Sequence, residues 1–234
     1  MKKVQTLIIS MVLISVTILW TINIEAATTQ SIGTSIVENG VVVANRNYGS
    51  DGKWDETSGS LFRNIVDVNG NLKIGKKYPY EISVKNSGAI DTYVRIILTK
   101  SMYNKDGEKA TDLSLDVLDL HLLNSDDWIV DETVTTKDRM VMYYKKVLLA
   151  GKTTTNLTDY IRIDDSILWK AEEKNITEKN GYATIMMDYT YDGINFAIDI
   201  EADAVQTHNA EEAIQSAWGR DVTIDSNGNI ESFN

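Results

Sequence analysis

The chain has 234 residues and a formal charge of −11, with no cysteine and a single proline, Pro79. An acidic balance of this size excludes a basic face for nucleic acid or anionic lipid. The missing thiols exclude disulfide staples, cysteine nucleophiles and thiolate metal sites.

At the N-terminus, Lys2 and Lys3 precede an apolar run, Leu7–Ile22, diluted by Ser10, Ser15, Thr17 and Thr21. Ile24-Glu25-Ala26-Ala27 then offers a small residue for cleavage. This is the layout of a secretory signal peptide over residues 1–26. The competing reading is an uncleaved anchor, but the run falls short of the roughly 20 apolar residues a spanning helix needs. Cleavage removes Lys2, Lys3 and Glu25 and leaves 208 residues with a charge of −12, long enough to bury a core without staples. No second run of that length follows. The expectation is a secreted protein, in an extracellular matrix or at a cell surface, exported without disulfides in the Gram-positive manner.

Residues 27–45 read as an extended arm. Ala27, Thr28, Thr29, Ile32, Ile36 and Val37, then Val41, Val42 and Val43, are small or β-tolerant. Such an arm can pair with its own sheet or add a strand to a neighbour's open edge, which makes these residues assembly candidates. An ordinary first strand is the plainer reading. Residues 46–234 read as one domain, with Asn47–Ser60 as its longest surface loop.

Beyond that loop, strands are predicted at Leu61–Val66, Tyr80–Lys85, Asp91–Lys100, Trp128–Val130, Met140–Leu149 and Thr155–Ile163. Apolar groups on both faces of Asp91–Lys100 predict a central strand covered on both sides. Leu113–Leu123 fits strand or short helix, and Ile167–Lys174 fits a helical insertion. Tyr182–Tyr191 and Asn195–Val205 alternate with period two and flank Asp192-Gly193, a hairpin signal. In the second of these, Asp199, Glu201 and Asp203 share a face, which predicts one side in water. A helix is predicted over Ala210–Trp218, with Asn209 as cap, Glu212 at the capping-box position and Gly219 as stop. Trp218 is expected to pin this helix to the edge of a sandwich. Together these elements predict an all-β fold: an antiparallel jelly-roll-like β-sandwich with a short C-terminal helix and minor helical insertions.

Catalytic chemistry finds little support. His121 and His208 lack the neighbours of a zinc site, and no Gly-x-Ser-x-Gly elbow occurs. Acidic pairs such as Asp126-Asp127 and Asp164-Asp165 read as solvated loops. Asp67–Asn71 and Asp225–Asn229 lack the closing Glu of a calcium loop and read as turns. No catalytic residue, metal site or cofactor is expected. Trp54, Tyr78, Trp128 and Trp169 are candidates for stacking on sugars, which defines an alternative: a glycan- or surface-binding adhesive sandwich.

Two stretches carry a resemblance. Val84-Lys85-Asn86-Ser87-Gly88 followed by Tyr93-Val94-Arg95 resembles a signature of secreted Firmicute proteins of the TasA/camelysin type. Gln206-Thr207-His208-Asn209, followed by Ala210, Ala213, Ile214, Ala217, Trp218 and Gly219, is similar to the C-terminal signature of their clostridial branch. The resemblance marks Asn86, Gly88, Tyr93, Arg95, Gln206, Thr207, His208, Asn209 and Trp218 as structural signature positions. It implies a SipW-dependent signal peptide and a jelly roll that polymerises into fibres of a biofilm matrix. In such fibres the N-terminal strand of one subunit completes the sheet of the next. The implied partner is a second copy of the chain, with other matrix proteins or a polysaccharide as further candidates. The family's segment after the signal, a Gly-Thr followed by an aromatic pair, is not evident around Ala26–Gly33. The metallopeptidase activity attached to the camelysin name has no ligand set here.

Overall fold

The computed structural model describes residues 31–49, 52–57, 61–62, 72–123, 126–179 and 182–233, with backbone alone for 171–189. The signal peptide, Ala27, Thr28, Thr29, most of the Leu61–Val66 strand and the Asp67–Asn71 turn lie outside these residues.

The first sheet is built on β1 (Gly33–Glu38), which pairs antiparallel with β2 (Val41–Tyr48) on one side and β5 (Ile82–Asn86) on the other. β3 (Trp54–Thr57) continues the sheet beyond β2. On the opposite side, backbone hydrogen bonds tie β5 to the stretch leading into β10 (Thr158–Ile163): Thr154 N donates to Val84 O at 2.8 Å and Leu157 N to Ile82 O at 2.6 Å. β10 then pairs with β4 (Tyr78–Pro79) and with β7 (Leu118–Leu122). The second sheet runs β13 (Asn195–Gln206), β6 (Thr92–Tyr103), β9 (Arg139–Tyr144), β8 (Trp128–Val130). Two hairpins complete the described strands: β11 (Ala171–Lys179) with β12 (Tyr182–Tyr189), and β14 (Val222–Ile224) with β15 (Ile230–Phe233). Every ladder is antiparallel, and α1 (Ala210–Trp218) is the one α-helix among the described residues. The fold is all-β and sandwich-like.

The strand period explains the layering. On β6, Val94, Ile96 and Leu98 point into the main core with Ile36, Ile82, Val84 and Ile198. The alternate residues Tyr93 and Ile97 point the other way, into a second cluster with Tyr143, Ile214 and Trp218. β6 is thus the central, doubly covered strand its composition predicts. Its outer cover is α1 and the β14–β15 hairpin, both packed on the face of the second sheet. Each fully buried aliphatic side chain here contributes about 1.5–3 kcal/mol.

Several expectations change. The arm does not run straight through 27–45: Asn39 and Gly40 both take left-handed φ, +48° and +80°, and reverse the chain between β1 and β2. That is the backbone of the tightest hairpin turn, which Asn-Gly favours. Asn47–Ser60 is not all loop, because Gly52 (φ +74°) turns the chain into β3. Asp192-Gly193 joins no hairpin: β12 pairs with β11, and β13 with β6. Leu113–Leu123 divides into a 3₁₀ turn at Leu115–Val117 and then β7. The helical reading of Ile167–Lys174 holds only to Trp169, in a 3₁₀ turn from Asp165, and β11 starts two residues later. Met140–Leu149 is strand only to Tyr144. Asn209 makes no side-chain cap; it adopts a left-handed conformation that asparagine tolerates. Gly219 ends the helix at φ +66°, as predicted.

Candidate functional site

Assembly by strand exchange depends on where β1 lies and what holds it. All six of its residues are buried. Thr34 Oγ1 donates to the Ala202 carbonyl on β13 at 2.9 Å, which ties the two sheets together. Ser35 Oγ bonds Asn45 Oδ1 at 2.6 Å on the neighbouring β2. Glu38, at the far end, is buried and accepts the Phe62 N–H at 2.6 Å. Burial first, and the Glu38 carboxylate second, push the ionisation of the Tyr80 hydroxyl far above its ordinary range.

The signature positions act on this same strand. Asn86 is fully buried. Its Nδ2 donates to the carbonyls of Ile90 (2.8 Å) and Leu148 (2.9 Å), while Oδ1 accepts from Gly88 N at 2.9 Å. This locks the turn after β5. The locked turn then grips the start of the arm: Ala89 N donates to Ser31 O at 2.9 Å and Ser87 N to Gly33 O at 3.1 Å. A Cβ at Gly88 would collide with the Ser31 carbonyl oxygen, so only glycine permits this approach. The Tyr93 hydroxyl donates to Gly228 O at 2.8 Å and holds the β14–β15 turn.

Arg95 and Trp218 belong to a polar clasp beside the start of β1, next to Ala202 on β13. Arg95 Nη2 bonds Asp203 Oδ2 at 2.6 Å, and its guanidinium lies 5.3 Å from the Trp218 ring. Asp203 also pairs with Arg46 of β2, which reaches round the edge of β13 to meet it. Arg46 in turn bonds Glu56 at 2.8 Å and lies over Trp54 at 4.6 Å. Trp218 packs on Tyr143, so the helix sits on the sheet face and not on the sandwich edge. Gln206, Thr207, His208 and Asn209 form the link from β13 to α1, with Gln206 Nε2 donating to His208 O at 3.2 Å.

The structure therefore brings Ile32, Ile36 and Val37 together with Asn86, Gly88 and Ser87 in one built slot. Val41, Val42 and Val43 stand apart on β2, with Val41 and Val42 exposed. The sugar-stacking candidates do not assemble: Trp128 is buried, Tyr78 is half-buried, and Trp54 and Trp169 are exposed on separate elements. His121 is exposed, stacked on Tyr160 and bonded to Asp159 at 2.6 Å, and His208 is exposed in a turn. Among the described residues no three His, Asp or Glu side chains gather as a metal site. Among them, too, no helix is long and apolar enough to cross a membrane.

Sequence reasoning missed Arg46, Trp54 and Asp203 as a unit. Cross-strand partners on three different strands leave no spacing rule to read. The fold and the slot together define an antiparallel sandwich whose first described strand occupies a central, gripped position. No family model, curated protein or solved structure matches the chain.

Proposed function

We propose that this is an exported structural protein that polymerises into extracellular matrix fibres by exchanging its N-terminal strand between subunits. The observation that carries the reading is the place of β1: a strand near the chain start fills a central slot, paired on both sides. Cleavage after Ala26 would leave it as the terminal strand. A terminal strand in a central slot can be withdrawn and replaced by the same strand of another copy, with every ladder bond restored. No charged residue occurs from Ala27 to Val37, so this segment can approach a second acidic subunit with little repulsion. Asn39-Gly40 is the natural hinge. The resemblance of the Asn86–Arg95 stretch to the TasA/camelysin type supports the same reading.

The test is a reversible lock. Ser35 and Asn45 face each other across β1 and β2, so the Ser35→Cys/Asn45→Cys variant, oxidised, holds β1 in its own sheet. Fibres seen by electron microscopy for the mature wild type should be missing for the oxidised variant and return on reduction. Fibres from the oxidised protein would sink strand exchange.

A second reading, an adhesive surface for glycans, has one observation in its favour: Trp169 leaves 83% of its surface in water, next to the half-exposed Leu168. Glycan-array binding lost in Trp169→Ala would support it, and a blank array would remove it.

A further inference from the structure

Two side chains meet over the backbone of Gly33. Asn47 lies on β2, opposite Gly33 in the β1–β2 ladder. Ser87 follows β5 on the other side of β1, where its N–H donates to Gly33 O at 3.1 Å. Between them, Ser87 Oγ donates to Asn47 Oδ1 at 2.5 Å. Neighbouring strands lie about 4.8 Å apart, so the two walls of the β1 slot are about 9.6 Å apart. Two short side chains bridge that gap only where the residue between them has no side chain of its own. A Cβ on Gly33 would run into Asn47 Oδ1, come within 2.7 Å of Ser87 Oγ and lie 3.1 Å from the Gly88 backbone N. Gly33 does not take a left-handed φ. The space above it, and not its backbone, calls for glycine.

The opposite face of β1 makes different demands. Thr34 Oγ1 donates to the Ala202 carbonyl of β13, Ile36 is buried in the main core, and Glu38 accepts the Phe62 N–H. Side chains alternate along a strand, so a slip by one residue would turn all three away from these partners. A slip by two would keep the faces but bring Ser31 or Ser35 under the bridge, and each carries a Cβ. Gly33 is the one glycine from Ser31 to Glu38. Only one register satisfies both faces.

We infer that the Asn47–Ser87 bridge is the selectivity element of the β1 slot. It admits an extended segment that has glycine under the bridge and Thr-x-Ile-x-Glu directly after it, which is what β1 of a second copy supplies. A strand with a Cβ at the bridge position is turned away. This inference rests on the reading that β1 passes between copies, and adds which strand a copy accepts and in which register. Ordinary strand preference points the other way, because glycine inside a strand is weaker than alanine. The two expectations differ in sign.

Synthetic peptides of Ser31–Glu38, added in excess to the full mature chain during assembly, test it. The natural peptide should enter slots as they open and slow fibre growth followed by light scattering. The Gly33→Ala peptide should need about tenfold more for the same slowing. On fibres of the Asn47→Ala/Ser87→Ala protein, which lacks the bridge, the gap between the two peptides should close. Equal potency on the wild type overturns the inference, as does greater potency of the Gly33→Ala peptide or no effect of either one. An undiminished gap on the bridge-less protein overturns it too. The oxidised Ser35→Cys/Asn45→Cys lock separates this inference from the reading beneath it. Fibres from the locked protein would end strand exchange, and selection between copies with it. If the locked protein forms none and the two peptides act equally on the wild type, exchange stands and the bridge does not select.

Discussion

β1 and β13 lie against each other across the main core, and they solve the problem of a strand's edges in opposite ways. β1 has a ladder on each side and no exposed residue. β13 is twice as long, pairs on one side only among the described strands, and mixes buried with water-facing positions. An open edge of this length invites pairing with another chain. Here it is guarded by acids: Asp199 and Glu201 in water, and Asp203 strapped to Arg46 from the opposite sheet. The lesson is that a closed strand is held by satisfied hydrogen bonds and burial, whereas an open one is held apart by charge.

That contrast can be broken most strongly at its closed member. Ile36→Ala on β1 removes a buried side chain between the sheets and should cost about 2–4 kcal/mol in urea unfolding. Ile200→Ala on β13, half-buried beside Ala44, should cost about half as much. Equal losses would mean that the edge of β13 is as well packed as β1. Gly88→Ala forces a Cβ against the Ser31 carbonyl and should cost about 1–3 kcal/mol. Amide exchange at Ala89, which bonds Ser31, should accelerate with it. Asn86→Ala removes a buried side chain's bonds to the Ile90 and Leu148 carbonyls, for about 1–3 kcal/mol. Arg46→Ala concerns the open member. The pair with Asp203 is half in water on the arginine side, so the change should cost no more than about 1 kcal/mol. Its larger effect should be faster exchange of the β13 amides near Asp203.

The smallest effect is one of pH. Backbone and side-chain hydrogen bonds from Asn229 hold the Asp225 carboxyl below its ordinary 3.8, and those from Ser166 do the same for Asp164. Carboxyls depressed in the folded state stabilise it above their unfolded pKa and lose that contribution as pH falls through the folded value. Unfolding midpoints should therefore be flat from pH 7 down to about 5 and decline below about 4. Asp225→Asn should shrink the decline slightly, as both groups keep part of their surface in water.

Much of the fold was legible because strands announce themselves by period. Asn195–Val205 and Trp128–Val130 were found nearly to the residue, and the double cover of β6 followed from apolar groups on both its faces. What failed was pairing. Asp192-Gly193 carries the chemistry of a hairpin turn, yet the burial of Tyr191 and its bond to Ser114 outweigh that local preference. At the slot, Asn86 and Gly88 were marked by resemblance, but their grip on Ser31 and Gly33 joins residues more than fifty positions apart. The Arg46–Asp203 strap was illegible for the same reason.

One feature of the second sheet governs what any assembly of this protein can look like. The part of its outer face that carries Tyr93, Ile97 and Tyr143 is covered by α1 and the β14–β15 hairpin, with Tyr93 fastened to Gly228 and Trp218 seated on Tyr143. Lamination, in which whole sheets stack on one another, needs bare faces, and this part of the face is not bare. Under the proposed strand exchange, growth would follow the hydrogen-bonding direction, and fibres would lengthen without thickening on that side.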